Sequence, residues 1–229
     1  MLYALSQYVG TLCPMRHALC CANAMNKFLP IILVLVISLL PATSDANREH
    51  MIEGRTMGTT YHIKVVTDAS GSVTGLKEKI DRRLAEINQV FSTYIKDSEI
   101  SRFNAFGVAG EKFAVSDDFI RVMRVAAEIH QISGGAWDVT VYPLVDLWGF
   151  GPTQRQPEKP AAAEINALKK KIGFDRIRIE EPNFLVKNLA AVTLDLNSIA
   201  TGFAVDQFSE LLAAAEHVNY LVEIVGEVY

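Results

Sequence analysis

From Tyr61 onward, segments with an apolar residue at every second position alternate with segments whose apolar residues stand three or four apart. The first period builds a strand with one buried face and the second a helix with one buried stripe, so the chain must combine both. Tyr61-His62-Ile63-Lys64-Val65-Val66 reads as a strand after a Gly58-Thr59-Thr60 turn. Thr74 is placed to cap a helix that buries Leu76, Ile80, Leu84, Ile87, Val90, Phe91 and Tyr94. A second helix opens after Ser116, carries Asp117 and Asp118 where its dipole favours them, and buries Phe119, Val122, Ala126 and Ile129 until Gly134 and Gly135 stop it. Further helices are expected through Ile165 and Leu168, with Lys169 to Lys171 in the last turn and Gly173 as the stop, and from Ser198 through Phe203, Phe208 and Leu212. Residues 176–179, 184–186, 192–196 and 219–225 read as strands. The expected fold class is α+β: a mixed or antiparallel sheet packed with helices, in a single domain over residues 47–229.

Residues 28–40 are apolar, follow Lys27 and precede a segment in which Ala42, Ser44 and Ala46 offer a small-x-small cleavage site. The thirteen residues of this segment fall short of the ~20 that a membrane-crossing helix needs, so residues 1–46 are expected to be a cleaved signal peptide with a mis-called N-terminal extension, Met25 being an alternative start to Met1. An uncleaved anchor is the alternative. An extracytoplasmic, periplasmic location follows from that expectation. All three cysteines, Cys13, Cys20 and Cys21, precede the apolar segment, which is the wrong side for a lipoprotein cysteine. Residues 47–229 hold no cysteine, which excludes thiolate chemistry there, and carry 20 basic against 25 acidic residues, which argues against a nucleic-acid partner.

Residues 134–152 crowd glycines, both tryptophans of the chain and two aspartates into one stretch. Glycine lets a backbone approach a bound molecule, and an aromatic beside a carboxylate can grip a planar, polar-edged ligand, so a nucleotide or planar-cofactor site is expected here. Three other segments carry polar groups that a fold alone does not demand. Met57-Gly58-Thr59-Thr60-Tyr61 is a glycine turn, and Tyr94, ahead of the polar loop expected at Ser98-Glu99-Ile100-Ser101-Arg102-Phe103-Asn104, is either a ring to stack on or the end of a core stripe. Residues 194–206 deliver Asp195 and Ser198 to a helix N-terminus, where an oxygen-only set suits a hard cation such as Mg²⁺; the alternative is that Ser198 only caps the helix. His62, His130 and His217 show no metal-site spacing, and no P-loop, GxSxG, HExxH or GxGxxG pattern occurs.

These segments, followed by Tyr220-Leu221-Val222-Glu223-Ile224, occur in an order that resembles the ApbE-type FAD:protein FMN transferases, over about residues 53–229. The resemblance implies a single flavin-transferase domain and an extracytoplasmic, Mg²⁺-dependent enzyme. Such an enzyme takes FAD, transfers FMN to a threonine hydroxyl of a target flavoprotein, such as a membrane redox subunit, and releases AMP. Carried over position by position, it implies flavin-nucleotide contacts at Met57, Tyr94, Ala136, Trp137, Asp138, Asp195 and Thr201, and a metal contact at Ser198. Pro143 to Trp148 are expected to shape the wall behind the ligand.

The sequence departs from the family pattern in three places. Thr201 stands where a lysine is common, so a neutral hydroxyl replaces a cation near phosphate. Val225 stands where a glycine is common, so either the turn shifts or the strand runs on. The family's C-terminal segment, with a histidine and the Asp and Thr that complete the metal site, is not in this sequence; its catalytic residues are therefore unassigned, and little or no transferase activity is expected of this polypeptide. A non-catalytic or degenerate flavin-binding protein and a Mg²⁺-dependent FAD pyrophosphatase are the competing readings.

Overall fold

A computed structural model describes residues 47–153 and 159–229. The expected signal peptide, its cleavage site and most of the polar connector after Pro152 lie outside the described residues.

The first hairpin sets one side of the core. Strand β1 (Arg48–Thr56) pairs antiparallel with β2 (Thr59–Thr67) through a tight turn at Met57 and Gly58, with Thr56 opposite Thr59. Strand β6 (Asn219–Ile224) lies on the other side of β2, and the short β7 (Glu227–Val228) follows it, giving the sheet order β1-β2-β6-β7. The pairings Tyr61 to Ile224 and Ile63 to Val222 put Tyr61, Ile63, Val222 and Ile224 on one fully buried face, while Lys64 and Leu221 pair on the other. A three-stranded antiparallel sheet has β5 (Phe184–Lys187) between β3 (Lys112–Ala114) and β4 (Ile177–Glu180).

Helices α1 (Leu76–Phe91), α3 (Asp117–Ile132) and α6 (Asn197–Ala214) touch one another, and α1 and α6 contact the four-stranded sheet. Their joint core is aromatic: the Phe91 ring lies 5.9 Å from Phe119 and 5.7 Å from Phe203, and Phe103 lies 5.5 Å from Phe113, edge-on. Burying each such ring contributes roughly 2–3 kcal/mol. Shorter helices α2 (Glu99–Ala105), α4 (Tyr142–Leu147) and α5 (Ala162–Lys169) complete the α+β fold among the described residues.

Several local expectations need correction. Thr74 does not cap α1; Gly75 occupies the N-cap in the left-handed region, and the Thr74 hydroxyl pairs with that of Ser72. The stretch expected as a loop at Ser98 to Asn104 is the capped helix α2, with Ser98 Oγ accepting from Ser101 N–H. Tyr94 does not extend the buried stripe: it lies beyond α1 and is 59% exposed. Residues 192–196 join no sheet, although Val192, Leu194 and Leu196 are fully buried. The later part of the glycine- and tryptophan-rich run forms a 3-10 turn (Val139–Val141) and then α4.

At the β6–β7 turn the chain neither shifts nor runs on. Val225 takes φ 55° and Gly226 φ 91°, with Ile224 opposite Glu227, so the β-branched residue occupies the left-handed region. Met57 does the same at the first hairpin, with φ 50°. Each costs on the order of 1–2 kcal/mol that a glycine or asparagine would not.

Candidate functional site

The turn that holds Met57 in the left-handed region also brings its side chain to α6. Thr201 Oγ1 lies 3.9 Å from Met57 Sδ and 3.5 Å from the Asn197 carbonyl one turn earlier, which joins two expected site residues 144 positions apart. Ser198 and Thr201 stand three apart near the start of α6, hence on one face, and Ser198 is exposed. Ser198 is not the helix cap: Leu196 occupies that position without a side-chain bond, and Asp195 Oδ1 accepts from Asn197 N–H at 2.8 Å instead.

Asp195 is the hub. Its backbone N–H donates to the Val139 carbonyl at 2.8 Å, which fastens it directly behind the Ala136-Trp137-Asp138 triplet. Burial raises the Asp195 carboxyl above the ordinary carboxylate range, against the Asn197 N–H bond that lowers it. Asp195 also bears on Tyr142: burial first, then the charges of Asp146 and Asp195 and the neighbouring Tyr94, raise the Tyr142 phenol, which therefore remains a donor at neutral pH. Tyr94, Tyr142, Asp146 and Asp195 thus share one electrostatic neighbourhood.

The triplet itself is held from behind. After α3, Gly134 and Gly135 take positive φ and turn the chain back, so that His130 Nδ1 meets the Trp137 carbonyl at 2.9 Å while the His130 ring stacks 5.0 Å from Phe174. Trp137 packs partly on the core and Ala136 is exposed. Both oxygens of Asp138 are engaged within the protein. Oδ1 accepts from Thr140 N–H (2.8 Å) and Thr140 Oγ1 (2.6 Å), and Oδ2 accepts from Phe174 N–H (3.0 Å). What the triplet offers a ligand is therefore its backbone, Ala136 and the open part of the indole, with Asp138 fixing the segment.

Two further residues belong here that had no role in the sequence reading, Tyr142 and Thr193. Tyr142, Pro143, Asp146 and Leu147 line a cavity of about 360 Å³ with Leu168, Lys171, Ala191 and Thr193, which fits the wall expected of residues 143–148. Thr193 Oγ1 is the one buried side-chain oxygen without a hydrogen-bond partner among the described residues. Asp146 Oδ1 accepts from Thr153 N–H and Oγ1, and a Cβ on Gly151 would come within 2.2 Å of that oxygen and 2.8 Å of the Asp146 Cα, so the chain closes on Asp146 only because residue 151 is glycine. Tyr94 Oη donates to the Phe150 carbonyl at 2.9 Å, which ties the same loop to the exposed tyrosine. Tyr142 lay inside the glycine-rich run and was visible as chemistry without a role, Asp146 stood only as part of the expected wall, and Thr193 carried no signal.

No group of three or more His, Cys, Asp or Glu side chains is placed to hold a metal among the described residues. The donors at hand are the Asp195 oxygen not used by Asn197 and the Ser198 hydroxyl, an oxygen-only pair. That chemistry fits Mg²⁺, which takes one or two protein oxygens and completes its shell with phosphate and water.

Comparisons with known proteins bear on the family of the chain. The ApbE family model matches residues 57–229. A FAD:protein FMN transferase of Haemophilus influenzae is 39% identical over 210 residues, covering 89% of this chain and 61% of the relative, and one of Vibrio cholerae is 40% identical over 199 residues, covering 86% and 59%. Among solved structures, the flavin transferase ApbE from Vibrio cholerae superposes with a TM-score of 0.76 at 41% identity, covering 80% of this chain and 59% of that one. The apo flavinyl transferase ApbE of Pseudomonas stutzeri gives 0.74 at 36%, covering 80% and 57%. The chain spans about three fifths of the length of these relatives. With the family model covering most of its length, the chain belongs to the ApbE family.

Proposed function

We propose that this protein binds FAD and serves the transfer of its FMN half to a threonine hydroxyl of a target flavoprotein, with release of AMP. The observation that carries the reading is the convergence on α6. Met57 reaches Thr201, Asp195 is tied through its N–H to Val139 beside the triplet, and both Asp195 and Tyr94 bear on Tyr142, which brings together four separated parts of the sequence. The names of the relatives supply the chemistry.

In such a transfer the threonine Oγ–P bond forms on the FMN-side phosphorus, the bond from that phosphorus to the bridging oxygen breaks, AMP leaves with that oxygen, and the hydroxyl gives up its proton. Mg²⁺, held by Ser198 and Asp195 together with phosphate, would neutralise charge on the pyrophosphate. The chain's own residues bind and orient. The exposed Tyr94 ring presents a stacking face, and its hydroxyl is pinned by the Phe150 carbonyl. Thr201 offers a hydroxyl near phosphate but no charge, which favours weaker nucleotide binding than a lysine would give. The acceptor is a flavin-accepting protein outside the cytoplasm, a reading supported by the apolar segment at residues 28–40.

Incubation of the chain, extended by the C-terminal segment of a relative, with FAD, Mg²⁺ and a threonine-bearing acceptor domain, scored by intact mass, tests the proposal: a covalent FMN adduct on the acceptor is expected from the extended protein. Free FMN and AMP without an adduct would assign a pyrophosphatase instead. FAD binding that Mg²⁺ does not affect, with neither product, would assign a flavin-binding protein, the reading that neutral Thr201 favours.

A further inference from the structure

Residues 192–196 bury Val192, Leu194 and Leu196 and pair with no strand among the described residues, yet they carry Asp195. A buried peptide segment needs partners for its N–H and C=O groups. At Leu194 both are supplied by one side chain, 90 residues away: Asn104 Oδ1 accepts from Leu194 N–H at 2.7 Å and Asn104 Nδ2 donates to the Leu194 carbonyl at 2.8 Å. The carboxamide does here what a neighbouring strand would do, and the next N–H, that of Asp195, goes to Val139.

Asn104 is itself backed. It lies in the last turn of α2, where helix carbonyls lack intrahelical partners. Its carbonyl accepts from Lys187 Nζ at 3.3 Å. Lys187 is fully buried at the end of β5, with its ammonium 4.6 Å over the Phe103 ring. Nothing in the flavin chemistry uses Lys187 or Asn104. A buried ammonium is costly to keep, and the arrangement spends it on one backbone carbonyl.

We infer that Asn104, backed by Lys187, is a positioning residue for the flavin site, holding residues 194–195 at the depth from which Asp195 meets the ligand. The inference rests on the flavin reading above. It gives a role to the Ser98 to Asn104 motif, which no site contact had absorbed.

The test is FAD affinity by quenching of flavin fluorescence, with thermal unfolding of the same samples. Asn104→Ala is expected to weaken FAD binding about tenfold or more. Asn104→Asp keeps the acceptor for Leu194 N–H and loses the donor, and is expected to fall between that variant and the unaltered chain. Lys187→Met removes the buried charge while matching its length, so unfolding should occur at the same or a higher temperature while FAD binding weakens several-fold. A merely structural role cannot separate the two readings in that way. Ile179→Ala, in the same small sheet and with no part in the hydrogen bonds to Leu194, serves as the control and should lower the melting temperature with affinity unchanged. Affinity equal to that of the unaltered chain in both Asn104→Asp and Lys187→Met would overturn the inference, as would an equal loss in the control. If the unaltered chain binds no FAD, the flavin reading fails first and the inference falls with it.

Discussion

Asp138 and Asp195 lie in segments joined by a single backbone hydrogen bond, yet their carboxylates are used in opposite ways. Asp138 spends both oxygens on Thr140 and Phe174, and its side chain is only 12% exposed. Asp195 spends one oxygen on Asn197, is raised by burial, and faces Tyr142. The glycine- and tryptophan-rich run is thus largely self-satisfied scaffolding, while the plainer segment before α6 keeps an ionisable group in reserve. Density of unusual residues in a sequence marks where a ligand's frame is built; unspent hydrogen-bonding capacity marks where the ligand is met.

The contrast is broken most directly at Asp138. Asp138→Ala strands the Thr140 and Phe174 N–H groups and the Thr140 hydroxyl in a part-buried site. At roughly 1–3 kcal/mol for each unsatisfied buried group, with some relief from water, a loss of about 4 kcal/mol is expected in urea unfolding. A loss below about 1 kcal/mol would show that Asp138 is not scaffolding.

Lys187 offers the next largest effect, on the support behind Asp195. Burial lowers its pKa from 10.5 to about 8. Between those values the unfolded chain holds the proton that the folded chain has released, so the unfolded state binds more protons and stability rises with pH. The displacement corresponds to roughly 3 kcal/mol at most, gained between about pH 8 and 10.5. Unfolding free energies measured across that range should climb in the unaltered protein, and Lys187→Met should remove this contribution. A further, smaller loss of about 2 kcal/mol is expected from Gly151→Ala, because the added Cβ meets the Asp146 backbone as well as its carboxylate. Urea unfolding measures it, and no change in stability would show that the loop can move away from Asp146.

How much of this was legible follows from the range of each interaction. The stripes of α1 and α3, the Ser116 cap and the glycine stop are local patterns and could be read directly. Strand β1 could not be read, because its exposed positions carry Met51 and its inward positions after Ile52 are Gly54 and Thr56, which blurs the two-residue period. Residues 192–196 have the composition of a strand and the burial of one, but their partner is the side chain of Asn104, and no periodicity announces that. The site residues came through the order of motifs. Whether each carboxylate was free or spent depended on contacts such as Phe174 to Asp138, 36 residues apart, which only the folded chain shows.

The smallest stability effect belongs to Asp195 and is the sharpest test of the comparison. Its folded pKa is raised, so in the window from the ordinary carboxylate range up to that raised value the folded state binds the extra proton, and stability falls as pH rises through it. Asp195→Asn keeps an acceptor for Asn197 N–H and removes the charge, so stability at neutral pH should stay within about 1 kcal/mol of the parent, on the favourable side. The part of the acid-side slope that Asp195 causes should disappear with it. FAD binding should nevertheless weaken, since the group removed is the one the fold leaves unspent. The two aspartates therefore predict opposite pairs of outcomes. Asp138→Ala is unstable wherever it is assayed, whereas Asp195→Asn is stable and deficient in flavin binding. A stable Asp195→Asn variant with full FAD affinity would place the ligand on the run alone and reverse the assignment.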